Sequence, residues 1–224
     1  MSVPAPEGWS PPGWLTDLAA VLPGLPGERF SRFLPPPEGG RRQSAVLVLF
    51  APGVEDPGDP DATTVVLTER AHTMRSHAGQ PAFPGGGTEE GDRDAAGTAL
   101  REAAEEVGLD PSGVDILGEL PTLHIPVSGY DVTPVLGWWR RPHPASLWAK
   151  DTREVARVLQ PEVRRLIDPA QRFRVHHPSG FVGPAWDVEG LLVWGFTAGV
   201  LDRVLHLAGI APAWPDAPTR ELEL

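Results

Sequence analysis

The sequence predicts an α/β or α+β sandwich, and three observations carry that prediction. Short β-branched apolar runs recur through the middle of the chain, bounded by turn residues. Stretches of helical periodicity are interleaved with them. The length, 224 residues, suits one full-sized core better than two small ones. Glycine and proline number 25 and 27, so much of the remainder is assigned to turns and extended segments.

In chain order, residues 1–42 read as an arm packed over the domain. It carries Pro4, Pro6, Pro11, Pro12, Pro23, Pro26 and the run Pro35-Pro36-Pro37, with room for one short helix at Leu15–Val21. Residues 43–210 form the domain. Its first strands are Ser44–Ala51 and Thr63–Thr68, joined as a hairpin through a turn rich in proline and glycine (Pro52, Gly53, Pro57, Gly58, Pro60). Gln80–Phe83 is a brief third strand. Asp94–Val107 is the clearest helix, with Asp92 or Asp94 to cap it and Gly108 to close it. Strands follow at Ile116–Leu120, Val132–Arg140, Glu154–Leu159 and Phe173–His176. A helix at Pro161–Ile167 has proline in its first turn, and a long helix at Leu191–Leu207 closes the domain. Residues 211–224 are again proline-rich and read as a tail.

Composition excludes several classes of function. Nineteen Lys and Arg against 30 Asp and Glu give a net charge of −11, the wrong sign for a nucleic-acid or anionic-membrane binder. Cysteine is absent, which removes disulfides, thiol catalysis and thiolate zinc sites and suits a reducing compartment. No apolar run reaches the ~18 residues that span a bilayer. The first twelve residues lack Lys, Arg and an apolar core stretch, so no secretory signal is expected. A cytoplasmic protein is the expectation.

The informative segment is GGGTEEGDRDAAGTALREAAEEVGL, from Gly85 to Leu109. At ~100° per residue, Glu102, Glu105 and Glu106 share one arc of the helix, while Ala96, Leu100, Ala103 and Val107 form a separate apolar arc. The acidic face is unfavourable by itself. Glu102 and Glu106 are like charges at i,i+4, and all three lie in the later turns, where the helix dipole disfavours anions. A divalent cation would turn this repulsion into attraction. Three oxygen donors without Cys or His suit Mg²⁺ or Mn²⁺ rather than Zn²⁺. A glycine-rich turn, Gly85-Gly86-Gly87, immediately precedes the helix and lets backbone approach a metal or phosphate closely.

These residues resemble the Nudix hydrolase family, whose box reads G-x5-E-x7-R-E-U-x-E-E-x-G-U, with U a bulky aliphatic residue. Arg101-Glu102-Ala103-Ala104-Glu105-Glu106-Val107-Gly108-Leu109 fills the second half, with Ala103 small for its place. The first half departs. Counting back from Arg101 puts Gly87 at the glycine and Arg93 at the first glutamate; starting from Gly86 puts Asp92 there, with one extra loop residue. The second register preserves the lead-in Phe83-Pro84-Gly85-Gly86 and is preferred. Upstream, Leu67-Thr68-Glu69-Arg70, Arg75, His77, Gly79-Gln80 and Phe83-Pro84-Gly85-Gly86 are similar to the extra signature of the coenzyme A pyrophosphatase branch. Ser128–Val135 and Trp194–Ala198 are also similar to that branch, so the resemblance covers residues 44–207.

The resemblance implies a Nudix α/β/α sandwich around a mixed sheet. It also implies hydrolysis of coenzyme A or a derivative to 3′,5′-ADP and 4′-phosphopantetheine, with a phosphorylated small molecule as the binding partner; the alternatives are a Nudix pyrophosphatase acting on ADP-ribose, a dinucleotide or a nucleoside triphosphate, and a degenerate Nudix module that only binds a nucleotide. By that reading Glu102, Glu105 and Glu106 hold the cation, with the carbonyl of Gly85 or Gly86 as a further ligand, and Arg101 orients Glu105. Arg70, Arg75, His77 and Gln80 are the substrate-binding candidates, since an acidic protein needs local donors for phosphate. The catalytic base stays open among Glu102, Glu106, Asp131 and Glu154. Adjacent residues of a strand point to opposite faces, which argues against His176-His177 as a metal pair. Trp138, Trp139, Trp148, Trp186 and Trp194 are mostly assigned to packing, with one available to stack on adenine. A homodimer is what family habit implies, with the arm at 1–42 available to its interface.

Overall fold

A computed structural model of the chain describes residues 8–31, 33–53, 55–56, 59–74, 76–142, 147–211 and 217–222. Its strands are β1 (Arg42–Ala51), β2 (Thr64–Val65), β3 (Leu67–Arg70), β4 (Pro81–Ala82), β5 (Gly85–Gly87), β6 (Val114–Glu119), β7 (Leu123–Ile125), β8 (Tyr130–Trp139), β9 (Val155–Leu159), β10 (Arg172–His176), β11 (Val182–Val188), β12 (Leu191–Val193) and β13 (Thr219–Glu221). The helices are α1 (Gly13–Val21), α2 (Ala95–Glu106), α3 (Val163–Ile167) and α4 (Gly195–Leu207).

The central sheet is mixed. β1 runs parallel to β8 and antiparallel to β2 and β5, and β6 and β7 pair antiparallel with β8. The period-2 alternation of β1 sends its residues to two cores. Ala45, Leu47, Leu49 and Ala51 pack with Ala99, Ala103 and Val107 of the α2 segment. Val48 and Phe50 join a larger cluster with Leu15 and Leu18 of α1 and Leu201 and Leu205 of α4. Helices therefore cover both faces of a mixed sheet, the α/β/α sandwich. Two smaller sheets, β4-β3-β9 and β12-β11-β10-β13, flank it.

Several expected elements change form. The predicted hairpin is brief: β1 pairs with β2 only at Phe50↔Val65 and Ala51↔Thr64, and the chain then crosses into a second sheet as β3. The long closing helix is shorter. Leu191–Val193 is strand β12, paired with β11, and helix begins only at Gly195. Three branched apolar residues fit either state, and the positive φ of Gly190 (79°) and Gly195 (68°) sets the breaks on both sides. Pro161 precedes α3 instead of lying in its first turn. The stretch Gly85–Gly87 is an edge strand on β1, with Ala45 opposite Gly86, and not a turn. Within 211–224, β13 pairs in parallel with β10. No helix among the described residues is long and apolar enough to cross a membrane.

Candidate active site

The site is built on α2. The Asp94 side chain caps its first turn by accepting the Gly97 N–H at 2.7 Å, as the sequence suggests. Its buried stripe is centred on Ala99, Ala103 and Val107, with Ala96 and Leu100 half-buried at the margin. That docking turns the opposite side of the helix towards β5.

Glu106 is almost fully buried, at 4% exposure, and accepts the Gly85 N–H at 3.0 Å. Burial pushes its carboxyl up to about 7. The Gly85 N–H and the charge of Arg70 offset part of that shift, while the charges of Glu102 and Glu154 add to it. Glu102 lies against Gly86, where a Cβ would stand 2.5 Å from its carboxylate oxygen. Burial raises its carboxyl too, against the opposing pull of Arg101 at 3.1 Å. Glu105 behaves differently. Its side chain is 60% exposed and reaches Arg101 only at 3.5 Å.

Asp92 supplies a partner that the helix itself does not offer. Arg101 donates its Nε and one terminal nitrogen to the two oxygens of Asp92, both at 3.0 Å, and donates to the Gly87 carbonyl at 2.8 Å. Asp92 also accepts from the Thr98 hydroxyl and the Glu89 N–H. The hydrogen bonds from Arg101 hold the Asp92 carboxyl well below the usual carboxylate range. Of the two registers the sequence allows, this geometry favours the one that starts at Gly86. The fork of Arg101 is committed to Asp92, and its contact with Glu105, at 3.5 Å, is longer than those with Asp92 and Glu102.

Arg70 stands at the end of β3. Its Nε is buried without a hydrogen-bond partner among the described residues, and its charge acts on Glu106. The loop that follows closes back onto it, with the Gly79 N–H donating to the Arg70 carbonyl and the Arg70 N–H to the Gln80 carbonyl. At the loop tip His77 takes φ +58°, and its Nδ1 lies 2.8 Å from the Gln80 amide oxygen. These two bond to each other and, among the described contacts, to none of the three glutamates. Arg75 lies outside the described residues.

The open question of the base narrows. Asp131 is buried and committed to the Gly40 N–H, the Gln43 amide and His124. The Glu154 side chain makes no hydrogen bond or ion pair among the described residues, and its charge acts on both Glu102 and Glu106. Its backbone carbonyl accepts the Ala71 N–H at 2.8 Å, which fixes it beside Arg70. His176 pairs with Glu221 while His177 bonds Ser179 and stacks on Trp194, so the two do not form a metal pair. Trp138, Trp139 and Trp186 are buried, and Trp148 is half exposed.

As they stand, no three or more His, Asp or Glu side chains among the described residues are grouped to hold a metal ion. The donor chemistry nevertheless suits a hard divalent cation. Every candidate ligand is an oxygen, Gly86 leaves room where a side chain would displace Glu102, and Glu106 is a buried carboxyl short of positive charge. Glu105 is the member that is turned away.

A family model for the NUDIX domain matches residues 40–173. The chain belongs to the Nudix hydrolase family. This Nudix chain is 35% identical over 179 residues to the uncharacterized Nudix hydrolase NudL of Escherichia coli K12, which covers 76% of the chain and 85% of that protein. It is 37% identical over 187 residues to NudL of Pectobacterium atrosepticum, covering 79% and 89%. Among solved structures, the Nudix hydrolase RenU of M. smegmatis aligns with 81% of this chain and 97% of its own at 19% identity and a TM-score of 0.48, a distant resemblance. Nudix hydrolases act on nucleoside diphosphate derivatives and generally use divalent cations, and this chain is one of them.

Proposed function

We propose that this Nudix hydrolase cleaves the diphosphate linkage of coenzyme A or a derivative, releasing 3′,5′-ADP and 4′-phosphopantetheine or its acylated form. Mg²⁺ or Mn²⁺ would be held by Glu102, Glu105 and Glu106, with the Gly85 or Gly86 carbonyl beside them. The observation that carries the reading is one juxtaposition: the buried Glu106 and the half-buried Glu102 meet at the Gly85–Gly86 strand, within the field of Arg70, whose buried Nε has no partner among the described residues. A buried guanidinium nitrogen left unpaired is costly unless a ligand satisfies it, and phosphate oxygens match its geometry. The choice of coenzyme A rests on the resemblance of Leu67–Gly86 to the coenzyme A pyrophosphatase signature.

A bound cation supplies charge neutralisation on the diphosphate and lowers the pKa of a coordinated water. The residues do the rest. Arg70 takes one phosphate through its free Nε–H. Arg101, anchored on Asp92, keeps the strand and helix in register through the Gly87 carbonyl. Glu154, free of other partners, accepts the proton of the attacking water at a carboxylate oxygen. The intact Asp92–Arg101 pair favours a working hydrolase over a nucleotide-binding relic, because the local architecture of the box is kept despite the altered first half.

The test is a substrate panel. Coenzyme A, ADP-ribose, a dinucleotide and nucleoside triphosphates are incubated with and without Mg²⁺ or Mn²⁺, and products are separated. The expected result is metal-dependent release of 3′,5′-ADP and 4′-phosphopantetheine. Intact coenzyme A alongside a cleaved ADP-ribose, dinucleotide or triphosphate would overturn the substrate assignment.

A further inference from the structure

The acidic helix ends in an unusual cap. A helix leaves its last four carbonyls without intrahelical partners, and α2 adds carboxylates to that already negative end. One distant segment meets it. The Trp148 N–H donates to the Val107 carbonyl at 3.2 Å, and the Lys150 and Asp151 N–H groups donate to the Glu106 carbonyl at 2.9 and 3.3 Å. The Lys150 ammonium donates to the Ala104 carbonyl at 2.8 Å. The Trp148 ring lies on Gly108, at φ +70°, where a Cβ would stand 2.8 Å from it. Lys150 is the sole lysine in the 224 residues. Among the described residues its ammonium is the only side-chain cation bonded to a carbonyl of α2.

We propose that Lys150 is a positioning residue of the active site. Its ammonium on the Ala104 carbonyl fixes the last turn of α2, and so sets where Glu105 and Glu106 present their oxygens. Ala104 sits between Glu102 and the Glu105-Glu106 pair, so any loosening there shifts the acidic residues relative to one another. A cation does this better than a neutral donor, because it also offsets the carboxylate field at the negative end of the helix. The inference rests on the proposed reading of these glutamates as cation ligands.

Two variants and one reagent test it. Mn²⁺ affinity is read from the electron paramagnetic resonance of free Mn²⁺, and coenzyme A hydrolysis is resolved into kcat and KM. Lys150→Met should raise the Mn²⁺ Kd about tenfold, the low end of the loss seen when a group that orients metal ligands is removed. It should lower kcat with little change in KM, and Lys150→Arg should restore both values. Acetic anhydride should reproduce the Met phenotype in the wild type and leave Lys150→Arg, which has no side-chain amine, unaffected. A Lys150→Met protein with wild-type Kd and kcat overturns the inference whatever its melting temperature, as does equal inactivation of wild type and Lys150→Arg by the reagent. A wild type that binds no Mn²⁺ overturns the cation-site reading and this inference with it; binding without coenzyme A cleavage overturns only the substrate, and the Kd comparison still decides the role of Lys150.

Discussion

Glu106 combines 4% exposure with a single backbone donor, so its ionised form is poorly solvated in the folded chain. The thermodynamic sign follows from its pKa, which rises on folding from an ordinary 4.5 to about 7. Below pH 4.5 the carboxyl is protonated in both states and contributes nothing. As pH rises through that value the unfolded chain ionises first, so stability falls until the folded pKa is passed. Above it the loss is about 3 kcal/mol, from ~1.4 kcal/mol per pKa unit. Glu106→Gln keeps an oxygen for the Gly85 N–H and removes the charge. It is expected to melt several degrees above the wild type at pH 8 without metal, with the gap closing towards pH 4.5. A thermal melt series across that range checks it, and a variant less stable than the wild type at pH 8 would count against the burial account.

At the scale of elements, the pairing of α2 with β5 decides the geometry. Gly86 has ordinary backbone torsions, so alanine can adopt them, but the new Cβ would meet the Glu102 carboxylate. The far end of a glutamate moves easily. Gly86→Ala should therefore cost no more than about 1 kcal/mol in a denaturant titration while displacing Glu102 and weakening Mn²⁺ binding. A large loss of stability with Mn²⁺ binding intact would contradict the placement of Glu102. This element was the most legible part of the sequence. Asp94, the Ala99-Ala103-Val107 stripe and Gly108 are all local signals, and each agrees with the others. Leu191–Val193 was not legible, because three branched apolar residues satisfy strand and buried helix equally until β11 is known to lie alongside. β7 and β13 are three residues each and carry no period to read. In the site, the helix spacing brings out the carboxylate arc. It cannot reveal that Arg101 turns to Asp92, or that Glu105 turns outward, because those rotamers answer to neighbours beyond the helix. The approach of Arg70 to Glu106 runs from β3 of a small sheet to the last turn of α2, and only the upstream motif hinted at it.

At the scale of the whole molecule, the mixed sheet separates two tasks. One face carries α2 and its carboxylates; the other joins α1 and α4 in the larger core. A net charge of −11 repels a diphosphate substrate at long range, so attraction has to come from local positive charge. In the proposed reading Arg70 would supply one such charge, and a cation held by Glu102, Glu105 and Glu106 another. That cation would also offset the burial cost of Glu106 and raise the melting temperature by binding the folded state alone. Calorimetric titration of Mn²⁺ into the wild type, Glu102→Gln and Glu106→Gln tests this most directly. The account predicts saturable binding to the wild type and at least tenfold weaker binding to each variant, since losing a ligand should cost no less than losing the outer-shell partner of one, about 10–100-fold. Equal affinity in all three proteins would contradict it.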